Sequence, residues 1–532
     1  MYKYVSSSSI EATFINAITN EPVELTIESF KLFHNDTFVI DESNQVVLTS
    51  SPTRSAKEMP AILCLRNNRT YGRIGDKRLY KCVPDDKHIP PFLVAYEMKN
   101  VGFSKVFSNK YVLIKFSKWT DANPVAVLTN TIGDVDIIEN YYEYQLYCEN
   151  LAHSIQPFIK AVATSLFNTP SFIPSEPRNK KIISIDPHGT KDFDDALSIT
   201  ENPDATYTVS VYIANVSACL DAYGLWEYVE RVSTIYLPNK PRPMLPPRLS
   251  EHDCSLVSGS KRIALTMDVL CANNGSVLDV SFKNTTITVS RNYVYEEADL
   301  LATREYRDLF MITNKMQPIL DSHELVEFWM AKMNQLIAKK MYDEYATGIF
   351  RSATLTNNDV LPKEVKNWKN AVCQYVVFGS NVRHDLLQVD KYMHITSPIR
   401  RMVDLLNMTK FQLCIGVPLS DSASAFYNKW IDRIDYINDR MKAVRRIQTQ
   451  CSLLALCSLS VEPIECSAYL FDKQTINDDV CTFSVYLKSL NLMYKIKTTE
   501  LDIEDGDTRN VRVILFNDED SLKKKIRLQL IK

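Results

Sequence analysis

Residues 185–196 read IDPHGTKDFDDA, and the fold of the chain has to accommodate this segment. Asp186, Asp192, Asp194 and Asp195 fall within it, bracketed by an apolar run at 182–185 and an alternating apolar run at 207–216. Carboxylates this close raise one another's pKa and repel unless a cation neutralises them. All-oxygen ligation by hard anions suits magnesium or manganese rather than zinc or copper. An aspartate-rich calcium loop, or a loop that binds nothing, carries the same local signature.

Composition narrows the choice. With 532 residues, 45% of them hydrophobic, the chain can bury several cores, and its length predicts roughly three or four domains of ~150 residues each. The net charge of −3 supplies no global basic field, so any polyanion site must be local. The N-terminus, MYKYVSSSSIEATF, has no apolar signal-peptide core, and the longest apolar stretches are too short to cross a bilayer. The expectation is a soluble, cytoplasmic, monomeric protein without a membrane partner. The 12 cysteines form no CxxC pair, which argues against structural zinc and, in a reducing compartment, against disulfides. Glycine is scarce, 12 residues against a usual ~7%. The one phosphate-loop lookalike, GSKR at 259–262, lacks the upstream glycine.

Along the chain, residues 1–58 form a short β-rich region, a reduced cold-shock barrel, with strands expected near 30–33, 38–40 and 46–48 and a polar linker at 50–58. Residues 59–145 read as a small β-barrel (AILCL, TYGRI, RLYKCV, PFLVAYEM, YVLIKF, AVLTNTI). Basic and aromatic residues interleave in it, as an OB-type barrel uses them to stack bases, although an ordinary solvated sheet face has the same mixture. Apolar spacing predicts helices over 140–163, 223–232, 325–341, 368–377 and 431–456, and strands over 180–185, 207–216, 263–270 and 277–289. The stretch 168–178 reads as a linker. Pro238, Pro241, Pro243, Pro246 and Pro247 make 236–250 a stiff extended loop. Its Tyr236 is a candidate base-stacking platform, or simply packs against prolines. Residues 465–532 alternate like a small sheet (CTFSVYL, MYKIKT, VRVILF, KIRLQLI), in the position of a terminal OB barrel.

A second chemical stretch, YMHITSPIRRMVDLL, occupies 392–406. Ser397 can cap a helix that Pro398 allows to begin, which puts Ser397 to Arg401 at a helix N-terminus where free N–H groups and the dipole attract anions. Arg400 and Arg401 add guanidinium donors. Read alone, the same pair is a solvated start to a surface helix.

Taken together these stretches resemble one family. IDPHGTKDFDDAL, STIYLPNKPRPMLPPRLSEHDCSLVSGSKRIALT and YMHITSPIRRMVDLL stand in the order found in the RNB (ribonuclease II/R) exoribonucleases. ELVEFWMAKMNQLIAKKM with IFRSA is similar to that family's following helix and strand. PDDKHIPPFLV and KFSKWTDANPVAVLTNTIGD look more like the eukaryotic exosome-type members than the bacterial ones. The resemblance implies an α+β, multidomain fold: a mixed α/β RNB catalytic domain at 179–460, preceded by the cold-shock-like barrel and a helix with linker at 146–178, and followed by an S1-like OB barrel at 461–532. It implies processive 3′–5′ hydrolysis of single-stranded RNA to nucleoside 5′-monophosphates with Mg²⁺, or Mn²⁺, in a two-metal site. Asp186, Asp192, Asp194 and Asp195 match the family's metal positions, with Asp194 the most rate-critical. Arg400 matches the phosphate-contacting arginine and Tyr236 the stacking tyrosine, and Thr396, Ser397 and Arg401 accompany them as RNA contacts. The chain also departs from the family. Tyr212 and Asn215 stand where relatives usually have His and Asp, and Asn407-Met408 where His-Arg is common. Val444 occupies a usual glutamate position, and no arginine-rich hairpin with a second stacking aromatic is recognisable between 295 and 324. These departures keep open an RNA-binding or regulatory protein on a weakened nuclease scaffold, and more distantly a structural assembly subunit.

Overall fold

The computed structural model describes residues 1–6, 12–25, 31–97, 107–165, 176–354, 373–460, 462–477, 479–490, 492–500, 502–518 and 523–531. The chain divides into two compact units, one built from Met1–Ala152, Leu237–Asn239 and Thr449–Lys532, the other from His153–Tyr236 and Lys240–Gln448. The architecture is α+β and multidomain, as the sequence led us to expect. No helix among the described residues is long and apolar enough to cross a membrane.

The first unit is β-rich. A five-stranded sheet covers Tyr2 to Ser50. The next sheet closes on itself because Met59–Leu63 pairs with Lys110–Lys118 on one side and with Lys77–Pro84 on the other. Its interior is filled by Ala61, Leu63, Tyr80, Cys82, Phe92, Val94, Val112 and Ile114, the inward half of each alternating strand. A further five-stranded sheet between Ile464 and Leu530 has its own core of Leu470, Phe483, Val485, Ile496 and Val511. Ser50 to Glu58 is not a bare linker: Ser51 accepts a hydrogen bond from the Arg54 N–H and caps a short helix, Pro52–Ser55. The strand expected at 30–33 is also absent where described, since Leu32 and Phe33 are buried outside any strand. The helix expected over 140–163 is two helices, Ile138–Cys148 and Gln156–Thr164.

The second unit is organised around a seven-stranded sheet. Its strands are β1 (Glu176–Pro177), β2 (Ile183–Asp186), β3 (Asp195–Glu201), β4 (Tyr207–Ala214), β5 (Lys261–Cys271), β6 (Val277–Thr288) and β7 (Arg291–Val294). Their order is β1-β6-β5-β4-β3-β2-β7, with β2 and β7 parallel and β3, β4, β5 and β6 joined antiparallel. Both faces of β4 are covered. Val209, Val211 and Ile213 enter one core with Trp329, Met333 and Ile337, while Tyr212 and Ala214 enter another with Leu220, Met402 and Leu405. The run alternates over Tyr207–Val211, and two-sided burial explains why it is apolar at every position from Val211 to Ala214. Trp329 is fully buried and its indole N–H donates to Thr313 Oγ1 at 2.8 Å, so truncation to alanine is expected to cost about 3–5 kcal/mol.

Helix α1 (Val216–Tyr223) replaces the helix expected over 223–232. Asn215 accepts from the Ala218 N–H and starts it, and Gly224 at φ 65° ends it. Helix α2 (Ser322–Asp343) is one turn longer than the predicted 325–341 because Asp321 caps the Glu324 N–H. Two helices, Ala298–Leu301 and Arg304–Met316, fill the stretch where no hairpin was recognisable. The helix expected over 368–377 is contradicted where it is described: Gln374–Val377 is a strand paired with Ile349–Ser352, and 368–372 lie outside the described residues. Of the stretch read as the 168–178 linker, only the end is described, and Glu176–Pro177 joins the sheet edge. The proline-rich loop holds a small two-stranded pairing, Ile235–Tyr236 with Pro241–Arg242. Helices α3 (Met402–Cys414) and α4 (Ile434–Leu459) complete the set used below.

Candidate active site

The acid loop is the β2–β3 connection. Asp186 is the last residue of β2, Asp195 opens β3, and Asp192 and Asp194 lie on the turn between them. Asp186 Oδ2 is buried without a hydrogen-bond partner. Burial pushes Asp186 up to about 7, opposed by a Ser184 hydrogen bond and reinforced by the neighbouring Asp192 charge. Asp195 is raised well above the usual carboxylate range by burial and by Asp186 and Asp194, and Asp192 is raised by burial. These groups are deficient in positive charge.

Asp194 differs from the other three. It is buried, its Oδ1 accepts the Ile399 N–H at 2.9 Å, and its Oδ2 accepts Arg400 Nε at 3.1 Å, across 206 residues of sequence. Burial pushes it up to about 7, while Arg400 and the Ile399 N–H pull it back toward the charged form. The two motifs singled out from the sequence therefore meet through one carboxylate.

The arginine turn is held on every side. Helix α3 begins at Met402 with Arg401 at its N-cap position, not at Ser397, and no side chain caps it. The N–H of Ser397 goes to Asp404 Oδ1 at 2.9 Å, those of Arg400 and Arg401 to the Ser397 carbonyl, and that of Met402 to the Val232 carbonyl. The N–H groups of Ser397 and of Ile399 to Met402 are thus taken by the protein's own acceptors rather than held open for an anion. What remains for an external anion is the Arg400 guanidinium, whose side chain is 46% exposed; its Nη2 also donates to Ser397 Oγ at 3.0 Å. Arg401 turns the other way. Its Nε and Nη2 bond both oxygens of Asp404, and Asp404 keeps it charged against burial. Thr396 and Ser397 are buried, and Thr396 Oγ1 accepts from Asn334.

Tyr236 reaches the same place through a backbone seam. The Thr234 N–H donates to the Arg400 carbonyl, and Ser233 bridges Arg401. The Tyr236 ring is 45% exposed. Burial of its hydroxyl, then the Asp192 charge, push it up to about 12, with Arg400 opposing. Of the five residues expected to touch RNA, only Tyr236 and Arg400 are open.

Three residues escaped sequence reasoning. Asn334 of α2 accepts the Ile395 N–H at 2.9 Å and so braces the turn from a distant helix. No local signal marks it. Asp404 could have been found, because a carboxylate three residues after Arg401 on a helix is the spacing of an ion pair. Tyr295, whose N–H donates to the Asp186 carbonyl, stacks on His323 at 3.5 Å, and its hydroxyl is raised by burial and by Asp195 and Asp186. The departures from the family fall in the interior. Tyr212 bonds Ser198; Asn215 accepts from Gln412 and donates to Asn284. Asn407 holds both backbone groups of Ile349, and Val444 is buried.

The chemistry of the donor set fits a hard divalent cation: four carboxylates, an orphaned buried oxygen on Asp186, and a single facing arginine. Among the described residues, however, no three acidic, histidine or cysteine side chains already converge on one point. Asp194 is drawn toward Arg400 instead.

A family model described as the RNB domain matches residues 175–309. Ribonuclease R of Chlamydia pneumoniae is 24% identical over 385 residues, covering 56% of this chain and 57% of that protein. The fold matches Mycoplasma genitalium RNase R, solved with ribose-methylated single-stranded RNA, at a TM-score of 0.72 and 13% identity over 100% of both chains. It also matches yeast Ssd1, described as a pseudonuclease, at a TM-score of 0.55 and 13% identity, over 90% of this chain and 71% of that one. The chain spans about half the length of the curated relatives it matches, or less.

Proposed function

We propose that this chain, which carries an RNB domain at residues 175–309, is a 3′–5′ exoribonuclease that hydrolyses single-stranded RNA with Mg²⁺ and releases nucleoside 5′-monophosphates processively. The observation that carries the reading is the Asp194 carboxylate, which joins the acid loop to the exposed guanidinium of Arg400. A calcium loop has no need of such a partner; a phosphodiesterase does, because charge accumulates on the phosphate during attack.

Asp186, Asp192, Asp194 and Asp195 would hold the ions, which when bound supply Lewis-acid stabilisation of the phosphate and a nucleophile at neutral pH. The rest of the work belongs to the chain's own groups. Arg400 donates to the non-bridging oxygens of the scissile phosphate, and Asp194 with Ser397 fixes the angle at which it does so. Tyr236 offers its ring face to the terminal base. Its hydroxyl stays protonated at neutral pH, so the ring brings no additional negative charge to an anionic substrate. Tyr295, whose N–H donates to the Asp186 carbonyl, borders Asp186 and Asp195.

The test is a 5′-labelled single-stranded RNA incubated with protein and Mg²⁺. A ladder shortening from the 3′ end with monophosphate release is expected; intact RNA under both Mg²⁺ and Mn²⁺ would overturn the reading. A second reading, RNA binding on an inactive scaffold, is favoured by one observation, the lack of three converging carboxylates among the described residues. It predicts salt-dependent binding that ignores EDTA.

A further inference from the structure

A segment outside the acid loop helps to hold its shape. Ser255 is fully buried, and its hydroxyl is used twice: it accepts the Phe193 N–H at 2.9 Å and donates to the Lys191 carbonyl at 2.9 Å. Those are the two residues flanking Asp192. The next N–H, that of Leu256, donates to the Phe193 carbonyl at 3.0 Å. Arg262 fixes this segment from behind, its guanidinium donating to the carbonyls of Ser255 and His252 at 3.0 Å and 2.7 Å.

The segment is also tied to the far end of the acid cluster. Asn292 of β7 donates to the Leu256 carbonyl at 3.0 Å and to Ser184 Oγ at 2.7 Å, and accepts the Ser258 N–H at 2.8 Å. Ser184 stands two residues before Asp186 on β2. A run of hydrogen bonds therefore leads from Ser184, on the strand that ends in Asp186, through Asn292 and Leu256 to Ser255, and from there to both sides of Asp192. Mutually repelling carboxylates have no attraction of their own to set their separation. A network in which Ser255 and Ser184 are buried and their hydroxyls and the Asn292 amide are hydrogen-bonded is stiff enough to do so.

We infer that Ser255 is a positioning residue: with Asn292 it sets the distance between Asp186 and the Asp192–Asp194 turn, and so determines how tightly the carboxylates take a divalent cation. The inference rests on the nuclease reading only for its functional consequence. Ser255→Ala leaves the Phe193 N–H and the Lys191 carbonyl unsatisfied and frees the turn.

The experiment is a titration of Mn²⁺ into the full chain, with free Mn²⁺ read by electron paramagnetic resonance, alongside the Mg²⁺ dependence of RNA shortening. In Ser255→Ala, Mn²⁺ affinity is expected to fall roughly tenfold or more, as expected when a residue supporting a metal ligand is lost. The Mg²⁺ midpoint should rise by the same factor, with kcat recovering at saturating ion. Asn292→Ala cuts the run at its other end and should reproduce the shift. If Ser255→Ala does not fold, Ser255→Cys keeps the volume, weakens both hydrogen bonds and carries the same test. Folded variants whose Mn²⁺ affinity and Mg²⁺ midpoint match wild type overturn the proposal, as does a wild-type chain that binds no Mn²⁺. Should wild type bind Mn²⁺ yet leave RNA intact, the nuclease reading fails while the Mn²⁺ shift still decides the role of Ser255.

Discussion

The two halves of the site are built on opposite principles. In the turn leading into α3, every available backbone N–H from Ser397 to Met402 has a protein acceptor, and Arg401 is matched to Asp404. In the acid loop, backbone groups are tied down by Ser255, but beyond Asp194 the carboxylates are not matched: Asp186 keeps an orphaned oxygen, and Asp195 is raised by burial and by its neighbours. One half is a finished structural element that presents a single guanidinium. The other is a fixed frame around uncompensated charge. Mutations should therefore separate cleanly into those that change chemistry and those that change stability.

The largest expected effect is at the point where the halves join. Asp194→Asn keeps an oxygen for the Ile399 N–H and loses the charge that orients Arg400. RNA shortening should slow by about 10²–10³-fold with RNA affinity, measured in EDTA, within a few-fold of wild type. An unchanged rate would mean the junction is only structural.

The adjacent arginines sharpen the contrast. Arg401→Ala leaves Asp404, which is fully buried, without its partner, and urea unfolding should show a loss of about 3–5 kcal/mol. Arg400→Ala should cost less than Arg401→Ala, because the Arg400 side chain is half-exposed and Asp194 retains the Ile399 N–H, yet it should abolish most of the activity. Equal stability costs for the two would break the distinction.

Histidines on the arginine side give a pH test. His384 is buried, its Nδ1 accepts the Leu387 N–H, and burial with the nearby Arg351 charge lowers it to about 4. Its folded pKa lies below its unfolded value, so the unfolded chain takes up the proton more readily. The stability it contributes is complete above the ordinary histidine pKa and drains as pH falls toward 4. The expected loss is about 2–3 kcal/mol over that window. Melting profiles at pH 7 and pH 4.5 should differ less for His384→Asn than for wild type; parallel shifts would rule this group out.

What could be read from sequence follows the same division. The acid cluster and the arginine motif are local patterns, and both were visible as such. So was the strand at 207–214, though its alternation did not show that both of its faces are buried. The orientation of Arg400 was not legible, because it depends on Asp194, remote in sequence; that of Arg401 rests on Asp404, three residues on, a spacing the sequence does carry. The helix placed at 223–232 begins earlier because Asn215, which sits at the end of an apolar strand pattern, caps Val216–Tyr223. The run ending at Val377 is short and apolar, a pattern that fits helix and strand alike, and its pairing with Ile349–Ser352 decides it.

The smallest effect concerns Tyr236, which lies where the two halves meet and belongs to neither. Its backbone N–H is held by Gln448 Oε1 at 3.1 Å, independent of the ring, so Tyr236→Ala should leave stability nearly untouched. Stacking on an aromatic is worth about 1–3 kcal/mol per base, so RNA affinity should weaken by about 5- to 150-fold. Tyr236→Phe keeps the ring and removes a hydroxyl that is neutral at working pH, so it should bind RNA as wild type does. If phenylalanine proves as damaging as alanine, the hydroxyl matters more than the ring face, and base stacking is not what Tyr236 supplies.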